Sequence, residues 1–192
     1  MPDDILLSTK VTVAMYREME RKQAREEIAD FIHHRFRERY VIPVLAVGRE
    51  EKNGFMIMAV SCLLIETLET FYQGWESTEP TKKRPGRSKL AFQLFFDHQW
   101  QFKSFQGHGA PFWKHVRCGI LHQGETTGGW RIRRNGRLFE EDENLINATE
   151  FHRRLSGALD SYRRELYRAD WESEPWKNFR IKMNATIKNC ES

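Results

Sequence analysis

Asn53-Gly54 and Gly74 bracket a segment whose apolar residues run most of the way round a helix. Ile57, Ser61, Leu64, Leu68 and Phe71 trace one stripe, and Val60, Ile65 and Tyr72 widen it. A helix this apolar has to sit at the centre of a bundle, because no single flank can bury it. Its longest apolar stretch, Phe55 to Ile65, falls well short of the roughly 20 residues that span a bilayer. The segment therefore reads as a core helix, and no membrane association is expected.

The flanking sequence supplies partners for that helix. Val13 to Tyr40 is a candidate helix whose second half is clearest, with Ile28, Ile32, Phe36 and Tyr40 four apart on one face. Pro43 interrupts it, and Val41 to Val47 is open between strand and buried turn. Leu90 to Phe105 is a further helix carrying Ala91, Phe95, His98, Phe102 and Phe105 on one face, which makes His98 a core or interface residue. Pro111 suits the first position of a short fourth helix that buries Phe112, Val116 and Ile120. Trp130 to Phe139 reads as a β-hairpin turned at Asn135-Gly136, an elaboration of about residues 129–139. Asn147-Ala148-Thr149-Glu150 is a capping box opening a helix with Phe151, Leu155, Leu159, Tyr162 and Leu166 on its stripe. A last helix presents Trp176, Phe179, Met183 and Ile187. The expectation is a single, mainly all-α domain over residues 1–192, with about six helices and one small inserted β-hairpin. Residues 76–89, rich in Lys, Arg, Pro and Gly, read as a flexible basic loop that is either a solvated linker or an arm touching phosphate.

With 192 residues, one core is what the length allows. Three widely spaced cysteines, Cys62, Cys118 and Cys190, give neither a zinc pair nor a disulfide framework, so a reducing, cytoplasmic setting is expected. Met1-Pro2-Asp3-Asp4 is acidic and no secretory signal follows it, which would leave the sequons at Asn147 and Asn184 unused. There is no Walker loop and no dinucleotide-binding glycine fingerprint. The formal net charge of +4 permits an anionic partner without requiring one.

Chemistry concentrates in Phe112 to Gln123. Arg117 and His122 form an Arg-x4-His pair, the one such spacing in the chain. About two Arg-x(4–6)-His spacings are expected by chance in a chain with this many arginines and histidines, so the spacing by itself is no evidence. In an unbroken helix the two would point about 140° apart. Convergence requires a break near Gly119 or Gly124, or a second copy of the chain. Context adds weight: the pair lies between glycine-rich turns and beside a basic ribbon. Arg131 and Arg133 alternate on one face of the hairpin, with Arg134 and Arg137 at the turn, a pattern that can track phosphates. Trp130 is read as a hydrophobic anchor, with base stacking as the alternative.

Arg117-Cys118-Gly119-Ile120-Leu121-His122, late in a helical chain of this size, resembles the Arg-x(4–6)-His motif of the HEPN superfamily (higher eukaryotes and prokaryotes nucleotide-binding domains). The resemblance covers about Phe55 to Tyr167. Many members carry Asn, Asp or His after the arginine, where this chain has Cys118. The resemblance implies a HEPN-like bundle and a metal-independent endoribonuclease that needs no cofactor and dimerises to bring two motifs into one cleft. It implies RNA or nucleotide as ligand, and a toxin–antitoxin or antiphage setting with an antitoxin protein as partner. Arg117 and His122 are then the catalytic residues. Lys114, His115, Gln123, Glu125, Thr126, Arg131, Arg133 and Arg134 are the substrate-binding candidates. Three other readings stand beside it: a catalytically dead HEPN-like nucleotide-, RNA- or partner-binding module, a plain helical scaffold, and a zinc site built from His115, Cys118 and His122.

Overall fold

The apolar segment folds as a continuous helix, α4 (Gly54–Gln73), in the computed structural model, which describes residues 5–48 and 52–191. The acidic stretch Met1–Asp4 lies outside those residues. Gly74 ends α4 in the left-handed region (φ +61°), and a Cβ there would press on Asn178, whose amide donates to the Tyr72 carbonyl at 2.7 Å. By length and composition α4 is apolar enough to cross a membrane. It is longer than its apolar run suggested, because Glu66 and Glu69 are carried inside it. Here α5 (Ser88–His98), α8 (Ala148–Arg168) and α9 (Glu174–Glu191) pack around it, and Leu64, Ile65 and Leu68 are fully buried.

The chain is mostly helical, and its buried side chains from Leu7 to Ile187 join into one continuous core. The stripes expected of α8 and α9 are the buried faces observed: Phe151, Leu155, Leu159, Tyr162 and Leu166 on one, Trp176, Phe179, Met183 and Ile187 on the other. Phenylalanines 92, 95, 96, 102, 105, 112 and 151 form a dense aromatic cluster where α5 meets α8.

Four expectations need correction. The helix anticipated from Val13 to Tyr40 is broken. α1 (Val13–Arg21) stops short of Gln23, which takes φ +52°, and α2 (Arg25–Phe36) follows. The charged middle has too little apolar surface to hold one rod against the core. Beyond α2 the chain passes through a π turn (Arg37–Val41) into α3 (Ile42–Leu45), so Val41–Val47 is largely helical. Pro43 has no N–H for a regular helical bond, and the wider turn absorbs that loss.

Leu90–Phe105 is likewise two pieces: α5 ends at Gln99, whose extended ψ of 102° leads into a 3-10 turn over Trp100–Phe105. The fourth helix begins earlier than Pro111. It runs as α6 (Gly109–Phe112), a π turn (Trp113–Arg117) and α7 (Cys118–Gln123). Pro111 lies within the first turn, where its missing N–H still costs nothing.

The predicted hairpin is not a hairpin. β1 (Arg131–Arg133) and β2 (Phe139–Glu140) never pair with each other. Between them lies β3 (Leu145–Asn147), parallel to β1 and antiparallel to β2. Gly136 does turn the chain (φ +81°), but the apolar, buried Leu145-Ile146 pair takes the central position. Asn147 locks the arrangement. Its Nδ2 donates to the Gly136 carbonyl at 2.7 Å, and its Oδ1 accepts from the Glu150 N–H at 3.1 Å, capping α8. The Glu150 carboxylate bonds Arg153 and Arg154 instead of reaching back to the cap.

His152, 2% exposed on α8, bonds Ser61 Oγ through Nδ1 at 3.0 Å. Burial pushes its pKa down to about 4. The unfolded chain therefore binds a proton on this ring before the folded one does, so stability rises with pH between about 4 and 6.5 and is lost as pH falls through that window. The loss from this group should reach at most about 3 kcal/mol. Urea unfolding of wild type and His152→Gln at pH 7 and pH 4.5 checks this: the pH-dependent difference in stability should shrink in the variant.

Candidate functional site

Glu66 occupies the centre of the most apolar helix, and a carboxylate there needs a cationic partner. Arg117, the last residue of the π turn, supplies it: Nε donates to Glu66 Oε1 at 2.6 Å, with the two side chains 19% and 12% exposed. Partial burial works against the charged guanidinium. The hydrogen bond and charge of Glu66 outweigh it, with a smaller contribution from the Cys118 side chain, and the Arg117 pKa lies above its ordinary value.

Fixing Nε on Glu66 leaves the far edge of the guanidinium facing outward. Nη1 lies 3.3 Å from His122 Nε2 on exposed α7. Arginine can only donate, so in this contact His122 Nε2 is unprotonated and accepts. The two residues thus meet within one chain, although an ideal helix would splay them. The π turn before Cys118, the shortness of α7 and the reach of the arginine close the gap. Gly119 permits it: a Cβ there would overlap the Glu125 carbonyl oxygen, so only glycine lets the returning chain lie against α7. Gly124, with φ +72°, turns the chain back.

Two members of the site were absent from the sequence reading. Glu66 is one. Thr78 is the other, its hydroxyl donating to Glu66 Oε2 at 3.1 Å. A signal for Glu66 did exist: two carboxylates and no cation inside an apolar helix imply partners elsewhere in the fold. Glu69 shows the same logic, fully buried and bonded to His98 Nε2 at 2.9 Å. Thr78 carried no such signal.

The remaining candidates scatter. Lys114 is exposed on the π turn, one helical turn before Arg117. His115 turns away: its Nδ1 pairs with Thr127 Oγ1 at 2.9 Å, and its ring packs where a Gly128 Cβ would stand. The zinc trio is therefore not assembled, and among the described residues no three His, Cys, Asp or Glu side chains converge as metal ligands. Gln123 and Glu125 are exposed at the end of α7 and in the turn after it. Thr126 donates to the Trp130 carbonyl at 2.6 Å and holds that turn.

Two of the four ribbon arginines pair with carboxylates, and Arg137 is exposed. Arg131 pairs with Glu143 Oε2 at 2.7 Å, Arg133 pairs with Glu140, and Arg134 Nε bonds Thr149 Oγ1 at 3.3 Å. Glu143 comes from the 3-10 turn Glu141–Glu143, in which Glu141 lies 3.3 Å from His108 Nε2. Trp130 is 5% exposed between Phe112 and Phe139, so it anchors the sheet and cannot stack on a base.

No family model, curated protein or solved structure matches this chain.

Glu66→Ala should unfold more easily by roughly 3 kcal/mol, because it strands a partly buried guanidinium. Gly119→Ala should cost about 1–3 kcal/mol by overpacking. Equilibrium urea denaturation of both variants measures this. A wild-type midpoint for either would show that the contact contributes nothing to the fold.

Proposed function

We propose that this protein is a metal-independent endoribonuclease of HEPN type, with Arg117 and His122 as its catalytic pair. The observation that supports it is the contact of the two side chains at an exposed surface, backed by a carboxylate that holds the arginine in place. RNA brings its own nucleophile. The unprotonated Nε2 of His122 removes the 2′-hydroxyl proton, the 2′-oxygen attacks phosphorus, and the bond to the 5′-oxygen breaks. Arg117 stabilises the charge developing on the non-bridging oxygens. The departing oxygen takes up a proton, from solvent in a single chain or from the second His122 in a dimer. The products are a 2′,3′-cyclic phosphate and a 5′-hydroxyl.

A HEPN-like bundle, a homodimer placing two such pairs in one cleft, an antitoxin partner and a cytoplasmic location belong to this same proposal. The dimer is not needed to bring Arg117 to His122, since one chain already does so. Its role would be to supply the second histidine.

Purified protein in EDTA should cleave single-stranded RNA and leave DNA of the same sequence intact. His122→Ala should lower the rate at least about 100-fold, and Arg117→Ala similarly. RNA binding without cleavage, unchanged in His122→Ala, would instead support the noncatalytic module. Light scattering at micromolar concentration should give the mass of two chains, and a monomer that still cleaves would remove the two-histidine cleft.

A further inference from the structure

Exposed lysines lie on the loop over residues 76–89, and the structure ties that loop to the frame of the site at both ends. At its start Thr78 donates to Glu66, the carboxylate that holds Arg117. At its end Ser88 Oγ accepts from Trp113 Nε1 at 2.8 Å, on the π turn that delivers Arg117. The Arg87 N–H donates to the Thr78 carbonyl at 2.7 Å and closes the base.

Between these anchors the loop is folded. Thr81 and Arg84 exchange backbone hydrogen bonds of 2.8 and 3.2 Å, forming a tight turn with Lys82 and Lys83 at its tip. The two arginines build the loop: Arg84 reaches the carbonyls of Ser77 and Glu79, and Arg87 lies over Trp75 at 4.7 Å from the ring centroid. The lysines are exposed. Among the described residues neither Lys82 nor Lys83 ion-pairs with a carboxylate, and the same holds for Lys89 and Lys114. Of the charged residues from Thr78 to Lys89 only Glu79 is acidic. Two cations fixed by local structure at a turn tip suit a polyanion better than a single phosphate, because they spread charge along a strand.

We propose that Lys82 and Lys83 bind the backbone phosphates of single-stranded RNA flanking the scissile bond. This rests on the endoribonuclease reading for its substrate but makes a separate claim about where the strand is held. Thr78 then acts as a positioning residue, linking the strand-holding loop to the carboxylate behind Arg117.

The probe is a short fluorescein-labelled RNA, 2′-O-methylated throughout so that it cannot be cut, titrated with full-length protein by fluorescence anisotropy across a salt series. Lys82→Gln/Lys83→Gln should bind roughly tenfold more weakly at low salt, with the log–log salt slope shallower by about 1.4, as expected for two lost single-strand phosphate contacts. The control Lys177→Gln, an exposed lysine on α9, should bind as wild type. Circular dichroism of the double variant should be unchanged, since both side chains are exposed. If the double variant keeps the wild-type affinity and slope, or if the probe does not bind wild type at all, the proposal is wrong. If binding depends on the lysines while wild type fails to cut unmodified RNA, the loop proposal stands and the nuclease reading falls.

Discussion

One ion pair organises the surface region of interest. Glu66 sits in a helix that is otherwise apolar around most of its circumference, where an unpaired carboxylate would be costly. Arg117 is drawn inward to meet it, and only the remaining edge of the guanidinium is left to face His122. The same carboxylate binds Thr78, so the loop after α4, the π turn and the core helix share one acceptor. A mobile arginine on a short surface helix would have no defined relation to a histidine five residues on. The half-buried carboxylate gives it one.

The structure around that pair is built so that backbone can come close. Gly119 lets the returning chain lie on α7, and Gly109 lets α6 approach α5 to where a Cβ would stand 2.5 Å from the Gln93 Cα. The aromatic cluster of α5, α6 and α8 is the rigid floor beneath. The small sheet stacks Trp130 and Phe139 on that floor. Its charges face outward and pair locally. The sheet is therefore a structural cover, and two of its arginines, Arg131 and Arg133, pair with neighbouring carboxylates.

Much of the helical content was legible because periodic burial leaves a trace in sequence. The stripes of α4, α8 and α9 name their buried residues correctly, and the Asn147 cap marks the start of α8. The breaks were harder to read. Gln23 at positive φ, the extended Gln99 and the π turns leave the apolar spacing almost intact, so a pattern of threes and fours runs through them unmarked. The hairpin failed for a different reason. Gly136 does bend the chain at positive φ, but which strand fills the space between its arms depends on burial of Leu145 and Ile146, a competition that local turn chemistry does not encode. In the candidate site, Arg117 and His122 were visible as residue types. Glu66, 51 positions away from Arg117, was not.

By itself, the sequence determined that the chain is predominantly helical, that residues 54–73 lie at its centre, and that an arginine and a histidine share one short basic segment. Those properties follow from local spacing and side-chain chemistry. Only the tertiary structure decided which charges are spent on each other and which remain exposed. It turned Arg133 and Arg131 toward Glu140 and Glu143, turned His115 toward Thr127, and brought Arg117 to Glu66 and His122. The physical reason is that ion pairing and burial act through space. Charges distant in sequence compete for the same partners, and the outcome is fixed only when the helices have packed.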